Sequence, residues 1–226
     1  MERPLFTSQE IPSGYANFRR ISDRPGTALL LTGPNGVGKG SITVELLADP
    51  SLKIKRALRY ASRPIGDSEQ QGREYQFVTH EEFVSMVDVG QMIEHSSHGM
   101  GFYGTGHNLL NELSGGTSDL LFDIEAHATF ALRGIFRKVA IPYADVLLSP
   151  VPVEQLQDTE LVGNILRRRI SGRRRGENET EIARRLFYAM ETYRRVNEFT
   201  HVVVNKDGEL AEAVVQVRKL LTTQPS

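Results

Sequence analysis

With 226 residues, 39% of them hydrophobic and 24% charged, the chain is long enough for one substantial core, with or without a smaller insert, but not for two independent domains. Its formal net charge of -1 gives no global attraction to nucleic acid or membranes, so any anion site must be local. The absence of cysteine excludes disulfides, thiol catalysis and the usual structural zinc frameworks.

The opening stretch, residues 1–26, is rich in Pro, Gly, Ser and charge and carries no apolar run of signal-peptide type; it is read as an irregular leader. Nowhere does the chain approach the roughly 20 apolar residues of a membrane span, and the expected location is cytoplasmic. Apolar runs bounded by turn residues then recur at Ala28–Thr32, Ile54–Tyr60, Leu120–Ile124, Val146–Leu148 and Val202–Val204. Most are followed by helical periodicity, the pattern of parallel strands buried on both faces, and the fold class expected is α/β. Between Tyr60 and Thr105 the texture changes. "REYQFV" reads as a short strand, Thr79 with Glu82 forms a capping-box start to a helix that Gly90 stops, and "QMIEHSSHGMGFYGTG" returns as strand and loop. This predicts a small mixed β/α insert beside the main sheet. Further on, "ILRRRISGRRRGENETEIARRLFYAMETYRRVNEF" predicts two helical stretches flanking an arginine-rich turn that contains Gly172 and Gly176. A solvated helical face is the plain reading of such a run. A nucleic-acid stripe is disfavoured by the slightly acidic total and the lack of interleaved aromatics.

The stretch "LLLTGPNGVGKGS" runs from a hydrophobic strand into Gly33, Pro34, Asn35, Gly36, Val37, Gly38 and Lys39. This is the GxxxxGK phosphate loop in its proper setting, after a strand and before a helix expected to begin near Lys39. Glycines let the backbone wrap phosphate oxygens, successive N–H groups point inward, and Lys39 can bridge the distal phosphates. The hydroxyl that normally follows the lysine is displaced by Gly40 to Ser41, which becomes the candidate magnesium ligand. Gly-Lys-Gly spacing of this kind resembles adenylate kinases.

Taken in order, "GPNGVGKGS", "SRPIGDSEQQGREYQFV", "IEHSSHGMGFYGT", "LLFDIEAH", "RRGENETEIARRL" and "HVVVN" resemble the guanylate kinase family over nearly all of residues 27–221. The resemblance implies a P-loop kinase fold: a parallel core sheet flanked by helices (residues 27–59, 106–160 and 191–226), a monophosphate-binding insert (60–105) and a helical lid (161–190). It also implies ATP and Mg2+ as cofactors, small-molecule nucleotides as the partners, neither nucleic acid nor membrane, and a monomer or homodimer.

Carried over position by position, the donor nucleotide falls to Gly33, Asn35, Gly36, Val37, Gly38, Lys39, Gly40 and Ser41, with Asn205 resembling the residue that contacts adenine. Arg63, Glu69, Tyr75 and Tyr103 resemble the acceptor-phosphate pocket, where charge and hydroxyl donors suit a dianion. Glu94 aligns with the carboxylate that reads the Watson–Crick edge of guanine, and Thr105 with a hydroxyl that touches the base. Asp123 and Glu125 close "LLFDIE", where they could order metal-bound water, hold arginines or simply cap the next helix. Lys39 and the lid cations Arg173, Arg175 and Arg185 are the catalytic candidates. The chain departs from the family at Gly66, where a second phosphate-binding arginine is expected, at Arg59 in place of a serine donating to guanine O6, at Ala61 and Ser62 in place of paired threonines, and at His127 and Ala128. Arg59 could donate twice to guanine or reach a phosphate. The activity implied is ATP-dependent phosphorylation of GMP or dGMP; the alternatives are a same-fold kinase for an acceptor such as ribose 1,5-bisphosphate and a non-catalytic binding module.

Overall fold

The computed structural model describes residues 25–66, 69–98, 101–172 and 178–222. Nine strands and seven α-helices are found among them: β1 (Ala28–Thr32), α1 (Lys39–Ala48), β2 (Ile54–Arg56), β3 (Tyr60–Ala61), β4 (Gln76–Phe77), α2 (His80–Asp88), β5 (Met92–His98), β6 (Gly101–Gly106), α3 (His107–Gly115), β7 (Asp119–Ile124), α4 (Ala126–Lys138), β8 (Tyr143–Ser149), α5 (Thr159–Ser171), α6 (Glu179–Arg194), β9 (His201–Val204) and α7 (Leu210–Thr222). They form a parallel core sheet in the order β2-β7-β1-β8-β9 and a four-stranded sheet in the order β4-β3-β6-β5. The described residues divide into two compact units, one drawn from 25–28, Ile54–Leu120 and Phe130–Tyr143, the other from Leu29–Lys53, Leu121–Thr129 and the described residues from Ala144 on.

In the unit that carries the glycine loop, the hydrophobic runs explain the strands. Leu29, Leu30 and Leu31 are fully buried, as are Val146, Leu147 and Leu148, which is the continuous burial a parallel strand covered on both faces requires. β8 and β9 pair in parallel from Val146 opposite His201 to Ser149 opposite Val204. The helices begin where side chains can satisfy free N–H groups: Asp158 accepts from Leu161 N at 2.9 Å to open α5, and Asn178 accepts from Glu181 N at 2.9 Å to open α6. α1 has no such cap; its N-cap is Gly38, at φ 103°.

In the other unit, the capping box is present in full, with Thr79 and Glu82 bonded reciprocally, and Gly90 follows the helix end at φ 70°. β5 and β6 form an antiparallel hairpin with an irregularity between Met92 and Glu94. β3 pairs antiparallel with β6 and parallel with β4. One face of this small sheet is covered by α2, where the Phe83 ring stacks on Phe102 at 5.5 Å. Alternation then puts Arg59, Ala61, Tyr103, Thr105, Glu94 and Ser96 on the opposite face.

The strand expected over Ile54–Tyr60 is two strands, β2 and β3, in different sheets. Between them Arg59 N closes back on Ala57 O at 3.0 Å, breaking the ladder so that Arg59 is carried into the second sheet.

Candidate active site

The Gly33–Ser41 loop is shaped by two left-handed glycines, Gly36 at φ 85° and Gly38 at φ 103°, conformations closed to residues with a Cβ except at a cost. Lys39 Nζ donates to Gly33 O at 2.5 Å and stands 3.9 Å from Asp123 Oδ1. The ammonium is thus held across the mouth of the loop by a carbonyl and a carboxylate, where phosphate oxygens can replace both. Ser41 is exposed in the first turn of α1, and a Cβ on Gly40 would meet no atom within 4 Å. This open space beside an oxygen donor, with Asp123 near the lysine, suits magnesium, an ion that keeps several waters and leans on substrate phosphates.

Asn205 is buried at the end of β9, and its Nδ2 donates to Val37 O at 2.8 Å. A Cβ on Gly38 would lie 2.2 Å from that same nitrogen. The carboxamide expected to contact adenine therefore also braces the glycine loop from behind. Arg169 extends the brace, donating to Asn205 O at 2.9 Å and to Asp207 Oδ1 at 2.7 Å. The hydrogen bond from Arg169 holds the Asp207 carboxyl below its ordinary pKa. Leu166 O, at 3.2 Å, and Ile170, at 3.1 Å, would touch any side chain at Gly36, so the end of α5 packs on the loop. Sequence reasoning missed Arg169 and Asp207. Asp207, two residues past "HVVVN", was the available signal, but the arginine run reads as solvated surface until its partner is seen.

Glu125 is exposed just past β7. Arg185 donates to Glu181 Oε1 at 2.7 Å on its own helix. Hydrogen bonds from Arg184 first, then Arg185, pull the Glu181 carboxyl down to about 2. Arg173 and Arg175 lie outside the described residues.

In the four-stranded unit, Arg63, Glu69, Tyr75 and Tyr103 come together. Arg63 donates to both Glu69 oxygens, at 2.5 and 2.6 Å, and its Nε donates to Tyr103 OH at 2.8 Å. Its guanidinium carbon lies 5.5 Å from the Tyr75 ring centre and 5.3 Å from that of Phe77. The Glu69 hydrogen bonds raise the Arg63 pKa above its ordinary value despite partial burial. At Gly66 the backbone N–H, not a cation, serves this cluster, donating to Glu69 Oε2 at 2.9 Å.

On the same sheet face Arg59 and Glu94 form a buried ion pair, only 5% and 7% exposed. Arg59 Nε also donates to Thr105 Oγ1 at 2.9 Å, and the Thr105 hydroxyl donates to Glu94 Oε1 at 2.7 Å. The described hydrogen bonds of Arg59 thus go to protein groups. An open cleft of about 440 Å³ in this unit, lined by Tyr60, Met86, Gly90, Gln91, His107 and Asn108, contains none of the anticipated residues.

No helix among the described residues is long and apolar enough to cross a membrane. Residues 25–224 match the family model described as Guanylate kinase. The guanylate kinase of Mycoplasmoides gallisepticum is 30% identical over 202 residues, covering 89% of this chain and 94% of that protein. That of Streptococcus pyogenes serotype M3 is 30% identical over 210 residues, covering 90% and 88%. The crystal structure of guanylate kinase from Anaplasma phagocytophilum superimposes with a TM-score of 0.62 at 21% identity, over 88% of this chain and 86% of that one. With a GxxxxGK loop braced from behind, an arginine–tyrosine cluster on the four-stranded sheet and this match across almost the whole sequence, the chain belongs to the guanylate kinase family of nucleoside monophosphate kinases.

Proposed function

We propose that the protein transfers the γ-phosphoryl group of ATP to GMP or dGMP, giving ADP and the guanosine diphosphate. The observation that carries this reading is the Arg63–Glu69–Tyr75–Tyr103 cluster, an arginine and two tyrosines assembled beside the sheet face that also carries Glu94 and Thr105, groups that suit an anionic phosphate. Relatives named guanylate kinase support the choice of base.

The acceptor needs no strong general base, because the second pKa of a phosphate monoester, about 6, leaves its oxygen largely ionised at neutral pH. Catalysis then rests on positioning and charge compensation. Arg63 and Tyr103 hold the acceptor phosphate, with Glu69 fixing the guanidinium plane. Lys39 leaves Gly33 O for the β- and γ-phosphates, and the backbone N–H groups of the loop cradle them. As an acceptor oxygen bonds to the γ-phosphorus, the bond to the β,γ-bridging oxygen breaks and ADP departs, while the lid arginines Arg173, Arg175 and Arg185 neutralise charge on the group in flight. Ser41, with Asp123 in β7 and Glu125 just past it, would hold magnesium, which when bound would supply further neutralisation of the donor phosphates.

The test is product analysis. Incubation with labelled ATP, Mg2+ and GMP should yield labelled GDP and ADP one for one, and Lys39→Ala should yield neither. ATP consumption without GDP formation would contradict the reading.

A further inference from the structure

Glu94 and Thr105 are partners in the β5–β6 register, and Arg59 precedes Tyr60, which pairs with Gly104, so the three side chains occupy one cross-strand row. Glu94 Oε1 accepts from Arg59 Nη2 and from the Thr105 hydroxyl. A carboxylate oxygen offers about two lone-pair directions, so Oε1 is filled. Oε2 is also buried, yet it accepts no hydrogen bond among the described residues. A buried carboxylate oxygen without a donor is costly to a fold and is retained where a ligand supplies the missing N–H.

We propose that this row reads the lactam edge of a 6-oxopurine, N1–H beside C6=O, and is nearly indifferent to the group at C2. The acceptor class is then 6-oxopurine nucleoside monophosphates, with inosine 5'-monophosphate (IMP) handled much like GMP. The inference deepens the proposed function and rests on its placing of the base at Glu94. A carboxylate with both oxygens available takes N1–H on one and the 2-amino group of guanine on the other. Here Arg59 and Thr105 occupy the second oxygen. Oε2 alone meets two parallel N–H groups only through bent, weakened bonds, so the 2-amino group adds little. The adjoining guanidinium favours a carbonyl oxygen at C6. In the same orientation adenine turns a ring-nitrogen lone pair toward Oε2, acceptor against acceptor. Arg59 is therefore a specificity determinant that acts through what it leaves of Glu94.

The test compares kcat/KM of the wild-type protein for GMP, IMP and AMP at saturating ATP and Mg2+. Expected are a GMP preference over IMP below about tenfold and an AMP rate at least about tenfold under IMP, since discrimination follows the number of well-made polar contacts. A larger preference for GMP over IMP, or AMP closer than that to IMP, overturns the inference. Turnover of GMP with rejection of IMP overturns it alone, whereas no turnover of any of the three overturns the proposed function as well. In Arg59→Ser, one lone-pair direction of Oε1 is released while Thr105 keeps the other, and the GMP:IMP ratio should rise about tenfold, toward the full worth of a bidentate contact; an unchanged ratio contradicts the mechanism. Should that variant fail to fold, calorimetric binding of GMP and IMP to the wild-type protein decides the matter: affinities within about tenfold support the inference and a wider gap overturns it.

Discussion

The Gly33–Ser41 loop and the face of the four-stranded sheet that carries Arg59 and Tyr103 both gather groups suited to phosphate chemistry, and they are built differently. In the loop the geometry is set by backbone, with two left-handed glycines and a brace from Asn205 on Val37 O. On the sheet face the cations are side chains already committed to carboxylates, Arg63 to Glu69 and Arg59 to Glu94. A backbone cradle depends on φ and on the space around each glycine, so it tolerates change outside a few positions. A face of paired charges depends on every partner, and a substitution at one member alters what the other offers a ligand.

The largest expected effect is on the loop. Lys39→Ala should lower kcat by at least about 10²–10³, the usual loss on removing one charge aimed at the transferring group, while thermal unfolding barely moves because the ammonium's described protein partners are one carbonyl and one distant carboxylate. On the sheet face the first damage is to stability. Arg59→Ala should cost about 3–5 kcal/mol in denaturant unfolding, because it strands the Glu94 carboxylate in the interior. A cost below about 1 kcal/mol would mean that Glu94 is not held by this pair.

Two neighbouring glycines sharpen the contrast. Gly38→Ala must adopt φ 103° and place its Cβ 2.2 Å from Asn205 Nδ2; about 1–3 kcal/mol of destabilisation and a raised KM for ATP should follow. Gly40→Ala meets nothing within 4 Å and lies inside α1, so it should stabilise by up to about 1 kcal/mol through helix propensity. If its KM for ATP also rises, the open space at Gly40 is space the nucleotide uses.

The smallest expected effect concerns Glu181. Its folded-state pKa of about 2 lies below its ordinary value, so its contribution is complete above roughly pH 5 and is lost as the pH falls toward that folded value. Because the pairs with Arg184 and Arg185 are partly solvated i,i+3 and i,i+4 contacts, Glu181→Gln should cost under about 1 kcal/mol at neutral pH. Wild type and variant should converge in stability at the acid end of a pH series of melts.

Much of the fold was legible because its signals are local. Burial of a hydrophobic run fixes β1, β7 and β8, and the Thr79–Glu82 box fixes the start of α2 within one element. The division of Ile54–Tyr60 was not legible, since both halves are good strand formers and only the partners available to Arg59 decide where the ladder breaks. The turn of the glycine loop and the start of α1 at Lys39 were legible, because the GxxxxGK spacing is a property of the backbone. The partners of Arg59, Arg169 and Asn205 were not. Each is settled by a residue 35 to 168 positions away, and a cation bound to a distant carboxylate looks the same in sequence as one waiting for a phosphate.

The division of labour is tested most directly by steady-state kinetics of Arg63→Ala with ATP and GMP varied separately. The account predicts that KM for GMP rises at least about tenfold, the loss of a charge-assisted anion contact, while KM for ATP stays within about twofold. An equal rise in both constants, an unchanged KM for GMP, or a wild-type protein that does not phosphorylate GMP would contradict it.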